Sequence, residues 1–304
     1  MKKREKMIGE LAALGAAFSW TISAMLYKEA LLKTKPISAN IMRLTSTCTI
    51  LFIFLALSGR TAILTSLPNY AVSLSCASGI IGLGFGDTLY MVSLKLIGVG
   101  RAVPITCIYP LFGLLWATFL GEPVTLPVVF GAIIIVLGVW LLSEEKNANG
   151  MRKQKKILVK GVVSALAAAI FWSVSIAMID VAVTLPETSD LEHALAINTI
   201  RTAAVAIALL AFSPLIDRDF SFLKIERKTW ALLVSGGIVA LGLGWFLLAF
   251  SFIHIPEARA VPISSTTPLF STLLAVLLLH ERITPKNAVG AIMVVAGIFL
   301  IFLF

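Results

Sequence analysis

The sequence predicts an all-α integral membrane protein: ten transmembrane helices arranged as two inverted five-helix repeats around a central cavity. Three observations carry this. Of 304 residues, 59% are hydrophobic and 13% charged, with mean hydropathy +0.97, against about 45–50% apolar and 25% charged in a soluble domain. Lipid accepts that much apolar surface if the backbone is satisfied within helices or a closed barrel, and the apolar runs are continuous rather than alternating, which selects helices. Finally, R-A-V-P-I-T-C-I-Y-P-L-F from Arg101 to Phe112 returns as R-A-V-P-I-S-S-T-T-P-L-F from Arg259 to Phe270, with eight of twelve positions identical. Such self-similarity indicates duplication.

At roughly 20 residues per span, helices are predicted to start near Met7, Pro36, Asn69, Arg101 and Thr125, then near Leu158, Leu191, Thr229, Ala258 and Pro285. The basic start, Met1 to Lys6, leads into an apolar segment reaching about Leu32, too long for a signal-peptide core of roughly 7–15 residues, so it reads as a retained span. The polar run S-E-E-K-N-A-N-G-M-R-K-Q-K-K divides the chain into a first repeat over 1–147, a basic linker over 148–157 and a second repeat over 158–304. Trp20 matches Trp172, Asn40 and Arg43 match Asn198 and Arg201, and Gly84 and Gly86 match Gly242 and Gly244. Glu122 matches Glu281, Gly131 matches Gly290, and Gly138 matches Gly297. Five spans per repeat is an odd number, so the second copy enters the bilayer from the opposite side.

The formal charge of +9 and pI near 9.6 reside mainly in loops, where they act as a topogenic signal and call for no nucleic acid. Orientation is contested: the basic linker and the basic N-terminus fall on opposite sides. The linker's side also collects Lys33, Lys35, Lys224, Arg227, Lys228 and Lys286, so the charge count favours termini outside. Cys48, Cys76 and Cys107 lack metal-ligand spacing and read as packing residues. His193, His254 and His280 make no zinc motif, and neither a phosphate loop nor a nucleophile elbow is present, so no cofactor, metal or enzymatic chemistry is expected.

Pro104 and Pro110, like Pro262 and Pro268, each free a carbonyl four residues back, which at membrane depth requires protein or water to re-satisfy it. The face Ala102, Thr106, Tyr109 and Gly113 corresponds to Ala260, Ser264, Thr267 and Ser271. It reads either as a cavity wall or as a close-packed seam whose hydroxyls bond their own backbone. Asp87 is an ionisable residue within a span, by default functional; its repeat counterpart is Trp245 and Tyr90 follows on the same face. Asp87 is expected to hold a cationic group of a substrate or carry a proton, with a structural ion pair to Arg43, Lys95 or Arg101 as the alternative. Trp20 and Trp172, with Ser23 and Ser175 beside them, lie far from the headgroup levels and read as walls of a binding site or as core. Arg43 and Arg201 are expected to be structural, snorkelling or bonding carbonyls at helix ends. Glu122 and Glu281 read as helix-end residues, and the glycines at 131, 138, 290 and 297 as close-packing positions.

Two five-helix copies, each carrying P-L-F, a helix-terminal Glu and then T-x-x-x-x-x-G-x-x-x-x-x-x-G, resemble paired EamA repeats of the drug/metabolite transporter superfamily. The resemblance covers nearly the whole chain. It implies a basket-like bundle in the cell membrane, with a cavity formed by helices one, three, four, six, eight and nine and with helices five and ten peripheral. It also implies alternating access for a small metabolite, frequently amino-acid export, with both termini cytoplasmic. The expected site is then Trp20, Asp87, Tyr90, Thr106, Tyr109, Trp172, Trp245, Ser264 and Thr267, with a small-molecule substrate, protons and lipid as partners. A passive facilitator is the first alternative and a membrane-embedded enzyme the second.

Overall fold

In the computed structural model, residues 2–119, 125–143, 152–280 and 284–303 are described. Their helices are α1 (Lys2–Leu31), α2 (Pro36–Leu57), α3 (Asn69–Ile97), α4 (Val99–Thr106), α5 (Tyr109–Phe119) and α6 (Leu126–Ser143), then α7 (Arg152–Thr184), α8 (Leu191–Ile216), α9 (Arg227–His254), α10 (Glu257–Ser264), α11 (Thr267–Leu279) and α12 (Pro285–Leu303). Short turns at Ile63–Ser66 and Ser221–Lys224 lie in the connections. Among the described residues, seven runs are long and apolar enough to cross a membrane: α1, α2, α3, α7, α8, α9 and Arg259–Leu279, which joins α10 to α11. Two shorter apolar helices, α6 and α12, accompany them.

Local chemistry explains the helix ends. Pro36 opens α2, where its fixed φ suits a helix and its missing N–H has no partner to lose. Asp190 caps α8, its carboxylate accepting from the His193 backbone N–H at 2.9 Å. The helix α7 begins at Arg152, inside the segment expected to be a non-helical linker. Its first residues, Arg152 to Lys156, are mostly long-chain helix formers, so the polar run continues the helix beyond the apolar stretch. The predicted Glu122 and Glu281 lie outside the described residues.

The duplicated proline segment is a broken helix in both places. Thr106 ends α4 and Tyr109 begins α5, with Cys107 and Ile108 between; Ser264 ends α10 and Thr267 begins α11, with Ser265 and Thr266 between. Pro110 and Pro268 occupy the second position of the following helix, where they lack the N–H that would continue the preceding one.

Packing inverts the soluble pattern of large residues inside. Small residues line the buried faces: Ala13, Ala16, Ala17 and Ala24 on α1, and Ala165, Ala168 and Ala169 on α7. Large residues such as Phe54, Phe130, Trp140 and Leu277 point outward, as lipid permits while close helix approach demands small side chains. The halves cross over. Helix α1 packs on α9, α10 and α11, whereas α7 packs on α3, α4 and α5. Helices α6 and α12 pack mainly on each other, and neither lines the central cavity. Their approach depends on glycine: a Cβ on Gly290 would sit 2.8 Å from the Gly138 carbonyl oxygen, and one on Gly138 the same distance from that of Gly290. The expected close-packing positions thus face each other.

At one end of the bundle, Lys33 Nζ meets Glu226 at 2.7 Å and Lys35 Nζ meets Asp219 at 3.0 Å, which brings the α1–α2 and α8–α9 connections together. The hydrogen bond from Lys33, and then its charge, holds the Glu226 carboxyl below its ordinary value; Lys35 does the same to Asp219. Depressed folded-state values mean that the contribution is complete above the unfolded carboxyl value of about 4 and is lost as pH falls through the folded values. Both pairs are exposed and therefore weak.

Two outcomes follow. Gly290→Val should force α6 and α12 apart and destabilise the protein by about 1–3 kcal/mol, read as a lower melting temperature in detergent; an unchanged value would contradict the close contact. The small melting-temperature gap between wild type and Lys33→Met/Lys35→Met at pH 7 should close near pH 3, and a pH-independent gap would show that the ion pairs do not cause it.

Candidate functional site

Within α3, Gly79–Gly86 is π-helical, and within α9, Ile238–Gly244 is too. A π turn widens the helix and takes carbonyls out of the regular ladder. An asparagine from a neighbouring helix reaches each one: Asn40 Nδ2 donates to the Leu83 carbonyl at 2.9 Å, and Asn198 Nδ2 to the Leu241 carbonyl at 2.7 Å. One turn further along α2 and α8 stand Arg43 and Arg201, which the same anchoring carries to the level of the π turns.

Both guanidiniums are buried, with relative exposures of 1% and 0%. This corrects the expectation that they snorkel or serve helix ends. They sit on the faces of α2 and α8 that pack inward, and each finds a different partner there. Arg43 forms an ion pair with Asp87 and donates from Nε to Asn40 Oδ1 at 2.9 Å, while its guanidinium lies 4.8 Å from the centre of the Tyr27 ring. Arg201 donates to Ser78 at 3.1 Å and Ser175 at 2.9 Å and rests 3.9 Å from the centre of the Trp245 ring. The position that is Asp87 in α3 is Trp245 in α9, so one arginine has a carboxylate and the other a π face.

Each tryptophan of the repeat sits against the opposite half. Trp172 of α7 donates to Asp87 Oδ1 at 2.7 Å, and its ring lies 5.1 Å from Tyr90 and 6.5 Å from Tyr109. Trp20 of α1 meets Trp245 edge to face at 5.2 Å. Glycine makes both seats: a Cβ on Gly86 would be 2.7 Å from Trp172 Cδ1, and one on Gly244 would be 2.8 Å from Trp20 Nε1.

These side chains enclose a cavity. Of the predicted residues, Trp20, Asp87, Tyr90, Thr106, Tyr109, Trp172, Trp245 and Thr267 line it. Ser264 stands just behind, bonded to the Tyr109 hydroxyl at 3.0 Å. The two readings of the proline face both apply, because Thr106 and Thr267 line the cavity while bonding their own helices at Ala102 and Ser264. Asp87 is in the cavity wall and is paired with Arg43, one of the three structural partners considered. Tyr27 and Arg43 also line it. Tyr27 left no sequence signal, since its repeat counterpart is Ile179; Arg43 did leave one, an arginine after N-x-x recurring inside two apolar spans. The free space admits water-sized centres over about 50 Å³, room for a few waters at roughly 10–15 Å³ each. The cavity is therefore small, with an ion pair and aromatic faces in its wall.

A family model described as the EamA-like transporter family matches residues 7–144 and again 159–303. An "Uncharacterized transporter" of Archaeoglobus fulgidus is 25% identical over 301 residues, covering 98% of this chain and 99% of the relative. A "Putative ribose uptake protein RbsU" of Lactobacillus johnsonii is 25% identical over 234 residues, covering 74% and 75%. A solved crystal structure of a protein at 20% identity covers 96% of this chain and 95% of its own, with a TM-score of 0.66, which indicates a shared fold.

The ion pair can be probed by a mutant cycle. Asp87→Leu leaves Arg43 buried without a counter-ion and should cost about 3–5 kcal/mol, whereas Arg43→Met/Asp87→Leu together should recover most of it. Melting temperatures of the two variants check this, and equal losses in both would mean that the pair is not the source.

Proposed function

Because the chain belongs to the EamA-like transporter family, we propose that it is a secondary transporter in which two inverted five-helix halves rock about the central cavity to move a small polar metabolite. The family and its transporter-named relatives carry the membrane transport. The single observation behind the mechanism is the central cavity walled from both halves by matched pieces: a broken helix and a tryptophan from each. Recurrence of the same contacts, Asn40 with Leu83 and Asn198 with Leu241, supports two equivalent halves, and the crossed packing of α1 and α7 supports their moving against one another. The ten-helix, inverted arrangement is the reading that accommodates an odd helix count per half.

In this mechanism Pro110 and Pro268 supply hinges at the helix breaks, and Trp20 and Trp172 close on the solute. Thr106 and Thr267 present hydroxyls, and Asp87 is the proton-carrying or cation-binding group. Binding in one halves' arrangement and release in the other requires only that the two arrangements bind the solute with different affinity. Amino-acid export follows from the family resemblance, and ribose uptake is what the name of one relative describes; the cavity's walls offer hydrogen-bonding groups and ring faces to either class.

Proteoliposomes preloaded with amino acids or ribose should show saturable uptake of labelled solute and counter-flow; linear, unsaturable flux would indicate a pore. Trp172→Ala, which removes one wall and the N–H held to Asp87, should lower transport at least about tenfold, equivalent to roughly 1.4 kcal/mol, and wild-type flux would remove this residue from the site. Asp87→Asn separates coupling from binding: proton coupling through this carboxyl requires that the pH dependence of transport vanish with it.

A further inference from the structure

Among the described residues, Arg43 and Asp87 are the charged groups in the cavity wall, and Arg201 lies directly behind the Trp245 indole. Arginine stays protonated in proteins, so when Arg43 and Asp87 neutralise each other the charge of Arg201 has no match. Among the described residues no carboxylate lies within ion-pair distance of it; Asp87 is the one whose field reaches it, and Asp87 is engaged by Arg43. Arg201 has 0% exposure, and its Nη1 has no hydrogen-bond partner. The two serines that receive its other nitrogens do not depend on it. Ser78 and Ser175 donate to each other's carbonyls at 2.9 and 3.0 Å, with their hydroxyl oxygens 2.8 Å apart. An uncompensated charge in an apolar core is strongly unfavourable, and the Trp245 ring at 3.9 Å offsets only part of that.

We propose that the cargo carries a carboxylate and that Arg201 is its counter-ion, so that the charge balance of the core is completed only when the site is loaded. Arg201 does not line the cavity; the Trp245 indole against which it rests does. A shift of that indole brings the free Nη1 to the solute. A single negative charge matches the single excess positive one, which favours a carboxylate over a phosphate dianion. The aromatic and aliphatic walls, with Val103 and Ile176 beside the tryptophans, suit an organic body behind that group rather than an inorganic ion. Loading thereby relieves the unmatched charge, which gives a carboxylate differential affinity for the arrangement in which Arg201 reaches it. The proposal rests on the transporter reading and names its substrate class.

The test is a thermal-shift titration of the purified protein with matched acids and neutral amides: benzoate against benzamide, and 3-phenylpropionate against 3-phenylpropanamide, with ribose, chloride and phosphate alongside. The acids should raise the melting temperature saturably and the amides and ribose should not. In Arg201→Gln the apparent affinity for the acids should fall at least about tenfold, with Arg201→Lys retaining part of it. An amide or ribose shift equal to that of the acid, a response to chloride or phosphate alone, or an acid shift surviving in Arg201→Gln would each overturn the assignment. Should Arg201→Gln not fold, the acid–amide comparison on wild type decides by itself. Ribose carried into proteoliposomes without any effect of acids would sink the carboxylate and leave the transporter standing; if neither acids nor neutral solutes are carried, both fall.

Discussion

Charge held in a core without water is the constraint around which this bundle is organised. Arg43, Asp87 and Arg201 are all buried, and each needs partners that a run of apolar helices does not ordinarily supply. The solution begins with the backbone. Two helices adopt π turns, two asparagines take up carbonyls from those turns, and an arginine one turn beyond each asparagine is thereby set at a fixed depth. From there the two halves diverge: one arginine faces a carboxylate and the other an indole. A common frame thus yields a cavity with unequal electrostatic sides.

The same economy appears in the connections between halves. Trp20 and Trp172 each come from one half and rest on a glycine of the other, so each half supplies only part of the cavity wall. Each broken helix packs on the first helix of the opposite half. Motion of one half against the other would move Trp20 relative to Trp245, Trp172 relative to Asp87 and Arg201 relative to Ser78, whereas Arg43 and Asp87 belong to the same half. Helices α6 and α12, joined by glycine contacts away from the cavity, are placed to brace the bundle rather than to contact a solute.

Much of this was legible in the sequence, for reasons that can be traced residue by residue. Trp20, Asp87, Tyr90, Thr106, Tyr109, Trp172, Trp245 and Thr267 were identified as site residues because a polar or bulky side chain inside an apolar span has few neutral explanations, and all eight line one cavity. Arg43 and Arg201 met the same criterion but were assigned to helix ends. Nothing in one dimension reveals which face of α2 or α8 turns inward, and a long side chain can reach either water or a buried partner. The π turns went unforeseen because glycine-rich apolar runs suit close packing as readily as a widened turn. The start of α7 at Arg152 was missed because the charges that mark a loop are also good helix formers.

The sequence by itself determined the membrane environment, the helical class and the duplicated proline frame, since these depend on hydropathy, run length and repetition, which are local properties. It also determined that the second copy lacks the carboxylate of the first. Only the tertiary structure decided that Asp87 pairs with Arg43, that Trp172 rather than Trp20 bonds Asp87, and that Arg201 is left against an indole with a nitrogen unpartnered. Those choices depend on which helices cross, and crossing is set by the summed packing of small faces on α1, α3, α7 and α9, a quantity that no single segment encodes.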